Sequence, residues 1–181
     1  DIIIFPETGD DTYNIKRVGP IVRQTNFTRE ELRKRFLFEK KTIVISIGGT
    51  NAGIFLIEKA LDVISKMNQD VEIVLVPGPA VNRKFENARN LGFVDNLHEI
   101  IFAADLVISL AGKSTIDEAN AYGTPAIFIP IKGHFEQEDN AREQGFVFED
   151  IDRLDELIIK KLEEKRTPVN TDGAKIASEI I

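Results

Sequence analysis

The sequence predicts an α/β fold, a doubly wound parallel sheet of the Rossmann-like kind. Three observations lead to this prediction. Mostly apolar runs of strand length recur at 43–47, 71–76 and 106–110. Segments with helical periodicity separate these runs, and a glycine or proline follows each run within two residues. Uninterrupted apolar runs are typical of strands buried on both faces of a parallel sheet, and their alternation with helices gives βαβ units.

Composition and charge narrow the class of protein. The 181 residues, 43% of them hydrophobic, suffice for one domain with a real core and part of a second. A net charge of −7 argues against nucleic acid as the main partner. The absence of cysteine excludes disulfides and thiolate metal sites, and no apolar stretch reaches the roughly 18 residues of a membrane-spanning helix. We expect a cytoplasmic domain.

The first 40 residues are expected to connect domains. The chain begins with Asp1 instead of Met, and a strand-like run at 2–5 has nothing before it to pair with. A Gly-Pro break follows within VGPIVR, and Thr28 with Glu31 predicts a capping box for a helix through Phe36. We therefore expect a piece of a longer chain, with an interdomain strand, linker and helix at 1–40 and the main ligand-binding domain at 41–166.

A glycine-rich turn, GGTNAG, follows the first buried strand. It lacks the GxGxxG spacing of a dinucleotide fingerprint, but its backbone at Gly49 and Thr50 can approach a phosphate or an acceptor closely. The pattern next predicts a helix face, a strand at 71–76, a short helix at 81–90, a brief strand at 92–95 and a helix from Leu97 to Ala104. The predicted helix face after the turn consists of Ile54, Ile57, Leu61 and Ile64.

The stretch 103–141 contains the predicted ligand site. Here a strand, Gly112 and a helix start follow one another, an arrangement that binds anions through free first-turn N–H groups and the helix dipole. Ser114 and Asp117 predict a capping box. Glu118 lies one turn beyond Ser114, where its carboxylate can accept both hydroxyls of a ribose. On this motif alone, the alternative that Gly112 merely turns the chain and that Glu118 is solvated stays open.

A P-loop is excluded because Val107 stands where that motif requires its first glycine, five residues before Gly112. A polar loop, HFEQEDNA, follows the last strand, and Glu136 and Gln137 offer acceptors and donors suited to sugar hydroxyls. The alternative for this pair is charge at a helix N-terminus. His134 is a candidate base or substrate-binding residue, although an exposed loop histidine is more often polar surface. All these loops should converge at the carboxyl ends of the strands.

Taken together and in order, VGPIVR, the GGT turn, GFVDN, LAGKSTIDEANAYGTPAIFIP and EQEDNA resemble the C-terminal, donor-binding half of B-type glycosyltransferases, closest to family 28. The family commonly has two glutamines where this chain has Glu136 and Gln137, and often a small or apolar residue at Lys113. By this resemblance the backbone at Phe93 and Val94 would hold uracil, Glu118 the ribose, and Glu136 with Gln137 the sugar. The UDP phosphates would lie on Gly112, Lys113, Ser114 and Thr115.

The resemblance implies transfer of N-acetylglucosamine or a related hexose, with inversion, from a UDP-sugar to a lipid-linked acceptor at the inner face of the membrane. It implies no cofactor or metal. The acceptor site and the usual base belong to an N-terminal domain that this chain lacks, so the catalytic residues stay unassigned. The helix at 173–181, in the C-terminal segment 167–181, would cross back to that domain. Two alternatives stay open: a UDP-sugar hydrolase or epimerase, and a non-catalytic subunit that needs a membrane-attached partner chain.

Overall fold

Seven strands and seven α-helices make up the computed structural model, which describes residues 2–181. The strands are β1 Ile3–Phe5, β2 Ile15–Arg17, β3 Lys41–Ser46, β4 Val71–Val76, β5 Arg89–Asn90, β6 Leu106–Leu110 and β7 Ala126–Ile129. The helices are α1 Arg29–Phe36, α2 Ile54–Lys66, α3 Leu97–Ala103, α4 Lys113–Tyr122, α5 Phe135–Glu143, α6 Leu154–Glu163 and α7 Gly173–Ile180. Short 3₁₀ turns at Asn51–Gly53 and Phe148–Arg153 precede α2 and α6.

The central sheet is entirely parallel and has the order β5-β4-β3-β6-β7. Ile43 of β3 pairs with Ile73 of β4 on one side and with Leu106 of β6 on the other. Helix α3 contacts α1 and α4, whereas α2 contacts α6, so that two groups of helices flank the sheet. The strand order reverses between β3 and β6, and ligands bind in such sheets outside the carboxyl ends of the strands at this point. The predicted fold class is confirmed.

The apolar runs form the core, as their composition requires. All five residues of β6 and all four of β7 are buried, as are five of the six residues of β3. Helix α2 buries Leu56, Ile57, Ala60 and Ile64. The predicted face of this helix was therefore partly wrong, because Leu56 and Ala60 take the buried places while Ile54 and Leu61 lie at its border.

The prediction was wrong between 81 and 95. Residues 81–88 form no helix but an irregular turn, and the strand after it is Arg89–Asn90, not 92–95. The side chain of Asn90 explains the turn. Its Oδ1 accepts from the N–H of Phe85 at 3.2 Å, and its Nδ2 donates to the carbonyls of Phe85 and Ala88. These bonds satisfy backbone groups that a helix would otherwise pair internally.

The amino-terminal segment forms a second, two-stranded sheet. Strand β1 has no described strand before it and pairs in parallel with β2, which follows it in the chain, with Ile3 opposite Ile15. The capping box of Thr28 and Glu31 at the start of α1 is confirmed. At the other end of the chain, α7 packs on this segment. A Cβ on Gly173 would lie 2.5 Å from the carbonyl oxygen of Pro20.

Asp105 links α1 to the central sheet through hydrogen bonds to two arginines of α1 and to the backbone of β3. Its Oδ1 accepts from Arg29 Nη2 at 2.6 Å, and its Oδ2 accepts from Arg33 Nη1 and from the N–H of Thr42, both at 2.8 Å. Burial raises the pKa of Asp105, but the Thr42 hydrogen bond and the guanidinium groups of Arg33 and Arg29 outweigh burial, so the pKa lies below its usual value.

Among residues 2–181, no helix combines the length and the apolar composition that a membrane span requires.

Candidate functional site

A cavity of about 340 Å³ lies at the carboxyl ends of β3 and β4. Main chain of the glycine turn after β3, at Gly48 and Gly49, forms one wall. Phe93, Val94 and Asp95, in the loop before α3, form another. The structure thus brings the predicted residues Gly49, Phe93 and Val94 into one cavity. Thr50 lies outside this lining, where its hydroxyl accepts from the N–H of Ala52 and caps the turn before α2.

The wall of this cavity depends on a close approach of two backbones. Gly78, in the loop after β4, has a φ of +79°, and a Cβ on it would lie 2.0 Å from the carbonyl oxygen of Gly48. Only glycine adopts this φ without strain and leaves room for the carbonyl. The two loops therefore form one continuous main-chain surface.

Helix α4 begins at the switch point of the sheet, directly after β6 and Gly112. The predicted capping box of Ser114 and Asp117 was wrong. Gly112 is the N-cap and has no side chain with which to cap the helix, while the carboxylate of Asp117 pairs with Nζ of Lys113. Ser114 is exposed and Thr115 is half-buried. The first-turn N–H groups of α4 are thus left without a side-chain cap and can bind an anion.

Glu118 is buried beneath Arg23. The Oε1 atom of Glu118 accepts from Arg23 Nε at 2.8 Å, and the Glu118 side chain is only 5% exposed. Arg23 lines the 340 Å³ cavity and also donates from Nη1 to the carbonyl of Asp95 at 2.9 Å. Sequence reasoning missed Arg23, although it is the last residue of VGPIVR. An ion pair between residues 95 positions apart leaves no local pattern.

Tyr122 also contacts Arg23, which already pairs with Glu118. Its hydroxyl donates to the backbone carbonyl of Arg23 at 2.7 Å, and its ring stacks on Phe102 with centroids 4.6 Å apart. Burial, followed by the negative charge of Glu118, raises the pKa of Tyr122 to about 12. The phenol is therefore neutral and acts as a hydrogen-bond donor at neutral pH.

The polar loop before α5 is ordered by its own side chains. His134 is the N-cap of α5 and accepts through Nδ1 from the N–H of Gln137 at 3.4 Å. The Oε1 atom of Gln137 accepts from the N–H of Ile131 at 3.1 Å. Glu136 is exposed and lines a separate cavity of about 460 Å³ together with Lys113. Five of the predicted site residues thus line two separate cavities: Gly49, Phe93 and Val94 the one beside the glycine turns, and Lys113 and Glu136 the one beside the starts of α4 and α5.

Comparison with known proteins identifies the family. The model of the glycosyltransferase family 28 C-terminal domain matches residues 42–179. A UDP-N-acetylglucosamine–N-acetylmuramyl-(pentapeptide) pyrophosphoryl-undecaprenol N-acetylglucosamine transferase of Thermosipho melanesiensis is 30% identical over 166 residues, which are 82% of this chain and 49% of that protein. An uncharacterized glycosyltransferase of Methanosarcina acetivorans is 35% identical over 133 residues, 71% of this chain and 33% of that protein. The chain thus spans between a third and a half of the length of these relatives.

Solved structures show the same fold. The glycotransferase of kitacinnamycin has a TM-score of 0.63 at 16% identity, over 85% of this chain and 42% of that one. Spinosyn forosaminyltransferase SpnP has a TM-score of 0.62 at 18% identity, over 98% of this chain and 50% of that one. The parallel sheet, the glycine turns and the start of α4 agree with the family match. This chain belongs to glycosyltransferase family 28, and its residues 42–179 correspond to the C-terminal domain of that family.

Proposed function

We propose that this chain is the donor-binding half of an inverting glycosyltransferase that moves N-acetylglucosamine or a related hexose from a UDP-sugar to a lipid-linked acceptor. The observation that carries the proposal is the start of α4, which lies at the switch point of the sheet without a side-chain cap. Sugar transfer, the donor and the lipid acceptor agree with the name of the Thermosipho relative.

In this proposal each part of the donor has its own element. The diphosphate lies on the first turn of α4, at Gly112–Thr115, and the uracil lies against the backbone of Phe93 and Val94 in the 340 Å³ cavity. Glu118 accepts the ribose hydroxyls, and the sugar extends toward Glu136 and Gln137. Gly49, Thr50 and His134 border the path of the donor and the acceptor.

The proposed reaction is a displacement at the anomeric carbon in which negative charge develops on the departing diphosphate. An acceptor hydroxyl attacks the anomeric carbon, the new C–O bond forms as the bond to the diphosphate breaks, and UDP leaves from the opposite face, so the configuration inverts. First-turn N–H groups and the dipole of α4 stabilise the negative charge that develops on the departing diphosphate. The base that removes the acceptor proton belongs, in this proposal, to the domain or chain that binds the acceptor.

We further propose that the acceptor site lies in an N-terminal domain or a partner chain, placing the protein at the cytoplasmic surface of the membrane. Residues 1–40 then connect to that domain, residues 41–166 bind the donor, and residues 167–181 return toward it. The packing of Gly173 against Pro20 supports this path. A hydrolase or epimerase of the same architecture, or a subunit without activity, would bind the same donor, so product analysis with a reconstituted partner distinguishes them.

Calorimetric titration tests the donor class. The chain should bind UDP more tightly than ADP, because the cavity accepts the base through main-chain groups of fixed position. Uridine serves as the control without phosphates and should bind much more weakly than UDP. Binding of ADP equal to or tighter than that of UDP would contradict the proposal.

A further inference from the structure

Arg23 joins three parts of the candidate site. Its Nε donates to Glu118 of α4 at 2.8 Å, and its Nη1 donates to the carbonyl of Asp95 at 2.9 Å. Its own backbone carbonyl accepts from the hydroxyl of Tyr122 at 2.7 Å. Since Glu118 and Tyr122 are four residues apart on α4, they share one helix face. This face therefore holds both the side chain and the backbone of Arg23.

Glu118 is far more deeply buried than Arg23. The side chain of Glu118 is 5% exposed, whereas that of Arg23 is 51% exposed. A carboxylate withdrawn from water is costly unless a cation and hydrogen bonds compensate it. Arg23 supplies this compensation, and its planar guanidinium reaches two acceptors at once, which the compact ammonium of lysine does not do in the same geometry.

We infer that Arg23 is a positioning residue for the nucleoside part of the donor, an inference that rests on the proposed function. Its guanidinium fixes the carboxylate of Glu118 relative to the loop of Phe93 and Val94. The ribose acceptor and the base site are thereby held at a set spacing before the donor binds, which lowers the ordering cost of binding. Arg23 donates a hydrogen bond to Oε1 of Glu118, and the second carboxylate oxygen of Glu118 accepts from the ribose hydroxyls.

The position of Arg23 in the chain gives the inference a further consequence. It lies between β2 and α1, in the segment that connects the two-stranded sheet with the donor-binding domain. The same residue that orders the nucleoside site therefore also fixes the path of this connecting segment across α4.

The test compares substitutions of two arginines with similar surroundings. Arg35 is 55% exposed and lies 3.7 Å from the carboxylate of Glu99, which is 11% exposed, so Arg35→Gln is a matched control on α1. Arg23→Gln removes both the positive charge and the planar guanidinium that reaches Glu118 and Asp95 together. Arg23→Lys keeps the positive charge but lacks this planar group with its two hydrogen bonds. Each variant is titrated calorimetrically with UDP and with 2′-deoxy-UDP, and circular dichroism and thermal unfolding verify that it is folded.

Both Arg23 variants should bind UDP about tenfold more weakly, the size expected for the loss of one charged hydrogen bond in the site. They should also lose part of the preference for UDP over 2′-deoxy-UDP, which a mere loss of stability would leave unchanged. The Arg35 variant should keep the wild-type affinity and preference. Arg23→Lys keeps the test decisive if Arg23→Gln does not fold.

Three results would overturn the inference. Unchanged affinity and preference in both Arg23 variants would mean that Arg23 only holds the chain together. Tighter UDP binding would mean that Arg23 competes with the ribose for Glu118. No UDP binding by the wild-type chain would overturn the proposed function itself, and this inference with it.

Discussion

Lys113 and Asp117 form an ion pair across the first turn of α4, where the proposed diphosphate site begins. The pair is partly buried, with the side chain of Asp117 only 12% exposed. The charge of Lys113 is thus compensated by an acid of its own helix, which also places a negative charge near the proposed diphosphate site.

Replacing this acid should strengthen phosphate binding. Asp117→Ala frees the ammonium of Lys113 and removes a negative charge from the helix start, so UDP affinity should rise about two- to fivefold, the size of a charge effect at a helix terminus. Uridine, which has no phosphate, should bind as it does to the wild type. The gain should shrink at high salt, and an equal gain for uridine would contradict an effect on the diphosphate.

Removal of Glu118 tests the ribose site. Glu118→Ala should weaken UDP binding by roughly 1.5 to 3 kcal/mol, about tenfold or more, the usual range for hydrogen bonds to a charged group. Calorimetry with UDP and 2′-deoxy-UDP provides the internal control. The wild type should prefer the ribose form, and the variant should lose most of that preference. A preference that persists in Glu118→Ala would show that another group binds the ribose.

The 181-residue chain alone should transfer no sugar, because the acceptor site and the base are proposed to lie in an N-terminal domain or a partner chain. The measurement is product formation from UDP-N-acetylglucosamine and a lipid-linked acceptor, with release of UDP followed separately to detect hydrolysis. Robust transfer by this chain would instead point to a base within it. His134→Ala would then decide whether His134 is that base. To act as one, its Nδ1 would have to leave the cap of α5, because an Nδ1 that accepts a hydrogen bond leaves the proton on the other ring nitrogen.

Asp105 should stabilise the fold in a pH-dependent manner. Its pKa is lower in the folded protein than in the unfolded chain, so its contribution is complete above the unfolded value of about 3.9 and is lost as the pH falls through the folded value. Asp105→Asn should lower the free energy of unfolding by about 2 to 4 kcal/mol near pH 7. In urea unfolding, the gap between variant and wild type should narrow below about pH 4. Asp70→Asn, which removes the exposed partner of Lys40, is the control and should leave the stability nearly unchanged, because water screens an exposed pair.

The close approach of Gly78 and Gly48 predicts an unusually costly substitution. Gly78→Ala combines a positive φ with a clash against a backbone carbonyl, and should lower the free energy of unfolding by about 2 to 4 kcal/mol. Gly92→Ala is the matched control, since Gly92 has a φ of +68° but its Cβ would meet no described atom within 4 Å. It should cost only about 1 kcal/mol. Equal losses in urea unfolding would contradict the role of the carbonyl contact.

Local patterns predicted most of the fold. The runs that became β3 and β6 could be read from the sequence because burial on both faces demands nearly continuous apolar residues. Strand β4 could be read as well, although its first half is only half-buried. The capping box at Thr28 was also predictable, since its partner lies three residues away. The loop at 81–90 was not predictable in this way, because the amide of Asn90 replaces backbone hydrogen bonds that the apolar pattern cannot reveal.

Long-range contacts limited the prediction of the site. Ser114 matches a capping residue, yet the helix starts one residue before it, and Asp117 turns to Lys113 instead. Glu118 was identified from its place on the helix, but its burial under Arg23 follows from tertiary packing alone. The sequence therefore predicts which segments meet at the sheet edge, and the three-dimensional structure is needed to find which side chains pair there.

The glycine wall of the 340 Å³ cavity affects how this protein can change its ligand. Because Gly48, Gly49 and Gly78 present only backbone, selectivity on this wall is encoded in the path of the chain and not in side-chain chemistry. Exchanging neighbouring side chains would leave that surface nearly as it is. Under the proposed function, a loop of different length would reshape this wall toward another base, so insertions and deletions should alter it more than point substitutions do.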